Sequence, residues 1–193
     1  MQGKLRVLAG AALLSVGLSA CVPLVVGGAA GAAAVATDRR TTGAYVDDQA
    51  IELKASSQVS AKLPSSHVNI ASYNRAVLMT GEVPSEAARE QAELIVRGTP
   101  NVSKVHNYTV VAGSSALSER NNDTWITTKV RARLLDGKGF SPQSIKVVTE
   151  RSVVYLMGLV TQAEGEAAAK VVSQTAGVQK VVTLYEYISE VQP

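Results

Sequence analysis

A duplication runs through this chain and constrains its fold more than any other feature, because two copies of one pattern must build two copies of one unit. Asp48-Gln49-Ala50-Ile51 aligns with Asp123-Thr124-Trp125-Ile126, and Ala55 and Val59 align with Val130 and Leu134. Val68-Asn69-Ile70 meets Ile145-Lys146-Val147, and Val77-Leu78-Met79-Thr80-Gly81-Glu82-Val83 meets Val154-Tyr155-Leu156-Met157-Gly158-Leu159-Val160. Val102-Ser103-Lys104-Val105 meets Val178-Gln179-Lys180-Val181, and the offset moves only between 75 and 77 residues.

The second copy spells out the unit. Asp123 reads as an N-cap, after which Ile126, Val130 and Leu134 recur at i, i+4 and i+8 on one helical face. Ile145, Val147 and Thr149 alternate as a strand, and Val153 to Met157 is a second strand closed by Gly158. Thr161-Gln162-Ala163-Glu164 has the form of a capping box and opens an Ala- and Val-rich helix that runs to about Thr175 before Gly177. Val178 to Ile188 is the last strand. Each unit is therefore helix–strand–strand–helix–strand, and the expected fold class is α+β, with two helices covering one face of a three-stranded mixed sheet. Units of roughly 70 residues carry small cores of modest stability. Gly113-Ser114-Ser115 and Asn121-Asn122 punctuate the passage between the units. The boundaries expected are 46–111 and 121–190 for the two domains, with a linker at 112–120.

Ahead of the repeat lies an export signal. Lys4 and Arg6 form a basic start, Leu8 to Leu18 is apolar, and Leu18-Ser19-Ala20 places small residues before the single cysteine, Cys21. Residues 1–20 read as a signal peptide, and Leu18-Ser19-Ala20-Cys21 resembles the lipobox of bacterial lipoproteins. That resemblance implies a lipid attachment at Cys21, with acyl chains such as palmitate. Val22, rather than an aspartate, follows the cysteine, which implies sorting to the outer membrane. Residues 21–45 form the lipidated cysteine and its tether, and the apolar run 22–36 is too short to span a bilayer comfortably.

Charge now becomes informative. Loss of residues 1–20 reduces 19 basic and 16 acidic residues to 17 and 16, so the mature chain is nearly neutral. Nucleic acid is not the expected partner. No catalytic constellation occurs: His67 and His106 are far apart and have no cysteine partner or metal-ligand spacing. Gly27-Gly28-Ala29-Ala30-Gly31 follows no strand and opens no βαβ unit, so it is not a dinucleotide loop. No enzyme activity, metal or cofactor is expected. Asp47 and Asp48 read as helix caps rather than ligands.

The repeated unit, with Gly81 and Gly158 at its strand ends, resembles the BON domain. Two such units behind a lipobox resemble the dual-BON outer-membrane lipoproteins. The matching runs are Ala36-Thr37-Asp38-Arg39, Val46-Asp47-Asp48, Met157-Gly158-Leu159-Val160-Thr161 and the stretch from Asn122-Asp123-Thr124-Trp125 to Arg131. The resemblance implies phospholipid binding, a role in outer-membrane integrity, gathering at division sites and a link to the barrel assembly machinery. It also implies that lipid contact falls on the first helix of the second domain. There Trp125 stands one residue off the core stripe, with Lys129 and Arg133 following on its side and Arg131 elsewhere on the polar surface, and Trp125, Thr128, Lys129, Arg131 and Arg133 are the expected phospholipid-binding residues. Trp suits the membrane interface and basic residues attract anionic head groups. The bland alternative is that Trp125 plugs the edge of a small core. The expected ligands are anionic phospholipids such as phosphatidylglycerol or cardiolipin. The equivalent first-domain helix has Ala50 in place of Trp125, Lys54 in place of Lys129 and Glu52 in place of Thr127. That domain is expected to pack on the second, to space it or to bind protein. A protein adaptor for envelope machinery and a periplasmic chaperone are the competing functions.

Overall fold

The computed structural model describes residues 38–189, so the expected signal peptide, the expected lipidation at Cys21 and the expected tether as far as residue 37 lie outside the described residues. Domain 1 contains α1 (Thr42–Lys62), β1 (His67–Tyr73), β2 (Ala76–Val83), α2 (Glu86–Arg97), β3 (Lys104–Asn107) and β4 (Val110–Val111). Domain 2 contains α3 (Leu117–Asp136), a 3₁₀ turn at Pro142–Ser144, β5 (Ile145–Glu150), β6 (Val153–Val160), α4 (Gln162–Ser173) and β7 (Lys180–Tyr187).

The expected α+β unit is present twice. β2 lies between β1, antiparallel, and β3, parallel; β6 lies in the same way between β5 and β7. In domain 1 the third strand is interrupted after Asn107, and β4 resumes the parallel pairing with β2 at Val110. Each helix pair covers one face of its sheet. Ile51, Ala55 and Val59 of α1 meet Val77 and Met79, while Ile126, Val130 and Leu134 of α3 meet Val154 and Leu156. The capping box at the start of α4 forms as expected: Thr161 Oγ1 accepts from the Glu164 N–H, and Glu164 accepts from the Thr161 N–H.

Besides the tether, expected to run to residue 45 although α1 already begins at Thr42, three expectations need correction. First, Asp123 is not an N-cap. α3 begins six residues earlier, at Leu117, so residues 117–120 are helix rather than linker. Asp123 is buried within the helix and accepts hydrogen bonds from the Arg151 and Ser152 N–H groups, at 2.7 and 2.8 Å. Second, Asp48 is likewise inside α1, accepting from the Asn74 and Arg75 N–H groups at 2.8 and 2.7 Å. Asp47 instead pairs with Arg75 and accepts from Asn101. The reason is the hairpin turn. Asn74, Arg75, Arg151 and Ser152 all have positive φ, from 50° to 65°, the two-residue geometry that matches the twist of a β-hairpin. None is a glycine, so the strained turn is held by a carboxylate reaching from the helix. Third, Gly81 and Gly158 lie inside β2 and β6 rather than at their ends. A Cβ at Gly158 would sit 2.4 Å from the Ser144 carbonyl oxygen; at Gly81, where φ is +101°, it would sit 2.0 Å from that of His67. Both glycines permit a close backbone approach.

Helices occupy one face of each sheet, and the other two faces pack against each other. Tyr73 and Leu78 of domain 1 join Tyr155, Met157 and Leu159 of domain 2 in a third apolar cluster. The first domain therefore packs on the second, and the layers run helix, sheet, sheet, helix. The two hairpin turns point to opposite ends. Tyr73, beside the first turn, donates its hydroxyl to the Ser144 carbonyl at the far end of β5, at 3.2 Å. Arg151, at the second turn, lies 3.7 Å from Glu82 at the far end of β2. Buried Glu150 accepts from Asn69 and Thr80 of the other domain, at 2.8 and 3.1 Å.

Candidate functional site

α3 owes its orientation to the core stripe of Ile126, Val130 and Leu134, with Asp123 below it fastening the hairpin. Turning 100° per residue from that stripe, the opposite face holds Leu117, Asn121, Trp125, Thr128, Ala132 and Leu135, all of them exposed. None carries a charge. Trp125 is 62 % exposed, so it does not plug the core; Leu117 and Leu135 are each 67 % exposed. At 1.5 Å per residue this uncharged face extends about 27 Å from Leu117 to Leu135. Cations flank it. Lys129 and Arg133 lie on the side toward α4, and Arg120 and Arg131 lie on the other side.

The flank toward α4 is organised by the end of that helix. Lys129 Nζ donates to the Ala176 carbonyl and Arg133 Nη1 to that of Gln174, each at 2.5 Å. Unpaired carbonyls at a helix C-terminus attract cations. Lys129 Nζ also lies 5.8 Å from the Trp125 ring centre, within cation–π range. Each side chain keeps further N–H donors for an anion. Gly177, at φ +97°, lets the following turn pass close to Ile126 and Lys129; a Cβ there would lie 3.3 Å from Lys129 Nζ. A groove of about 290 Å³ opens beside Arg133, lined by Asp136, Gly137, Val171 and Gln174.

The sequence-derived site residues thus divide into three groups. Trp125 and Thr128 share the outer face, Lys129 and Arg133 form one flank, and Arg131 stands on the opposite flank. Arg120 and Leu117 were not anticipated, because placing the helix start at Asp123 removed the first six residues; Leu135 lay within the expected helix and was not assigned to this face. The signal was present in the 18-residue interval from Leu117 to Leu135, which is five helical turns.

Domain 1 differs at the same place. The outer face of α1 carries Val46, Ala50, Leu53 and Ser57, with Asp47 and Lys54 on one side and Glu52 on the other. It has no tryptophan and no pair of cationic flanks. The two histidines lie on strands, His67 on β1 and His106 on β3. His67 Nδ1 is 3.1 Å from Glu82, and burial lowers the pKa of His106. Among the described residues, no cluster of His, Cys, Asp or Glu could hold a metal, and no helix is long and apolar enough to cross a membrane.

The comparisons agree with this architecture. The BON domain family matches residues 47–113 and again residues 122–187. The chain is similar to the outer membrane lipoprotein DolP of Haemophilus influenzae, at 36% identity over 188 residues and 96% of each chain. It is also similar to a 21 kDa hemolysin of Actinobacillus pleuropneumoniae, at 30% identity over 78% of this chain and 79% of that one. The osmotically-inducible protein Y of Escherichia coli is 28% identical over 72% of each chain. Built from two BON domains and aligned with DolP almost end to end, the chain belongs to the DolP family of outer membrane lipoproteins.

Proposed function

We infer that this protein binds anionic phospholipid on the periplasmic leaflet through α3, laid flat in the membrane interface, and that it does so without catalysis. The observation that carries this reading is the 27 Å uncharged face (an estimate at about 1.5 Å per residue) bearing Trp125 and bounded by cations on both sides. An interfacial helix has this layout: an apolar strip enters the acyl boundary while flanking Lys and Arg meet the head groups. Each basic residue close to an anionic surface contributes about 1 kcal/mol, declining with salt. Four such residues contribute about 4 kcal/mol, enough to fix orientation once a lipid on Cys21 keeps the protein nearby. Phosphatidylglycerol and cardiolipin supply the required charge. Support of envelope integrity, at division sites in particular, follows from the family resemblance.

The test is co-sedimentation of soluble residues 38–193 with phosphatidylglycerol vesicles. Trp125→Glu should reduce binding at least tenfold, as should Lys129→Glu combined with Arg133→Glu, while Lys54→Glu in domain 1 should change it less than twofold. Circular dichroism must show that each variant is folded. A folded Trp125→Glu protein that binds at wild-type strength refutes the reading.

An adaptor role has one observation in its favour. Because the sheets pack back to back, α1 and α2 face away from α3. Domain 1 would then present Val46 and Leu53 to the periplasm while α3 lies on lipid, and the barrel assembly machinery is the partner class to test there.

A further inference from the structure

Two consecutive arginines just before α1 hold different domains. Arg39 reaches domain 2: its guanidinium makes two parallel bonds to the Glu164 carboxylate, both 2.7 Å, and Nη1 also donates to the Leu159 carbonyl at 2.9 Å. Arg40 turns to domain 1. It donates to Asp48 at 2.8 Å and lies over the Tyr73 ring at 4.2 Å and the Tyr45 ring at 4.9 Å. Asp38 completes the arrangement, accepting from Arg40 Nη2 at 2.6 Å. These are not surface ion pairs. The Arg39, Glu164, Arg40, Asp38 and Asp48 side chains are all at least 86 % buried. Paired forks of this kind combine charge with fixed geometry. Asp48 is the same carboxylate that fastens the first hairpin turn, and Tyr73 is the residue whose hydroxyl crosses to Ser144. The segment therefore joins a network already spanning both domains.

Its location matters as well. Glu164 lies in the first turn of α4, whereas the carbonyls that hold Lys129 and Arg133 lie at that helix's other end. The tether thus leaves the body about 18 Å, one length of α4, from the cationic flank of α3.

We propose that Asp38-Arg39-Arg40 is an interdomain clasp: the segment joining the fold to the lipidated cysteine locks the two BON domains into one body and fixes the point from which the anchor departs. The lock is independent of what α3 binds, since none of its side chains belongs to α3.

The test uses the lipidated full chain in detergent micelles, read by calorimetry and by proteinase K cleavage at Ala112-Gly113-Ser114, between the domains. The wild type should unfold as one cooperative unit. Arg39→Gln with Arg40→Gln should give two separable transitions and at least tenfold faster cleavage. Arg39→Glu should act in the same direction, and adding Glu164→Arg should restore slow cleavage by exchanging the charges. A single transition with cleavage within twofold of wild type in the Arg39→Gln, Arg40→Gln protein overturns the clasp. An exchanged pair cleaved as fast as Arg39→Glu alone overturns the direct pairing. Should Glu164→Arg unfold α4 by removing its cap, the glutamine double variant decides alone, because neither arginine belongs to a helix. Those variants should still bind phosphatidylglycerol vesicles as wild type does, which separates failure of the clasp from failure of the lipid reading.

Discussion

Replacing Asp123 with alanine separates two readings of that residue by magnitude. As an N-cap it would contribute about 1 kcal/mol. In the fold it sits in mid-helix, 7 % exposed, and accepts from two backbone N–H groups whose residues hold positive φ. Hydrogen bonds to a charged acceptor contribute about 1.5–3 kcal/mol each. Solvent reaches the turn through exposed Arg151, so the low end applies, and the pair sums to about 3 kcal/mol. In urea, with a slope of about 1.5 kcal/mol/M, the cooperative two-domain body should lose about 2 M of its unfolding midpoint. A cap would lose about 0.7 M by the same slope. Trp125 fluorescence reports on domain 2. Asp123→Ser adds a third arm: a serine hydroxyl is a competent cap, yet it is too short and too weak an acceptor to hold both turn amides. A midpoint loss below about 0.7 M for the alanine variant, or recovery to wild type with serine, refutes the hairpin clamp.

Three further perturbations test other parts of the molecule. Burial raises the Glu150 pKa, the neighbouring charges of Glu82 and Asp123 add to the effect, and bonds from Asn69 and Thr80 only partly offset it; the folded protein therefore takes up that proton at higher pH than the unfolded chain, and stability should rise as pH falls through the folded pKa. Glu150→Gln should raise the neutral-pH melting temperature by a few degrees and flatten that acid-side rise, and a lower melting temperature would contradict the assignment. Gly158→Val brings a Cβ within 2.4 Å of the Ser144 carbonyl and should destabilise domain 2 by about 2–3 kcal/mol, more than domain 1, as read by fluorescence against hydrogen exchange in β1 and β2. Cys21→Ser should release the protein from outer-membrane fractions or leave its signal uncleaved, whereas wild-type fractionation with no acyl label on the native chain would exclude lipidation.

Much of this fold was legible because repetition checks itself. The apolar run from Val153 to Met157 and the i, i+4, i+8 spacing of Ile126, Val130 and Leu134 each recur in the other domain, and a chance pattern rarely survives both copies. What stayed hidden depended on contacts distant in sequence. Asp123 has the residue type and position of a cap, and only its 28-residue reach to Arg151 shows otherwise. Leu117 was obscured for the same reason, since a false helix start removed the first six residues of α3 and with them two of the six residues of the exposed face. The domain joint was the least legible part. Leu78 and Tyr155 read simply as members of apolar strands, and nothing local distinguishes a residue facing a helix from one facing a second sheet. Arg39 and Arg40 sat within a segment read as tether, and their partners lie 125 and 8 positions away.

The opposed hairpin ends carry a historical implication. Two copies of one unit, joined through the same sheet face with their ends reversed, have the geometry of a twofold homodimer. A true homodimer must show identical surfaces on its two outer sides, and any feature that adheres to a membrane would appear on both. Fusion into one chain removes that obligation. One copy could acquire Trp125 and its arginines while the other kept Ala50 at the matching position, giving a two-sided object whose sides answer to different surroundings.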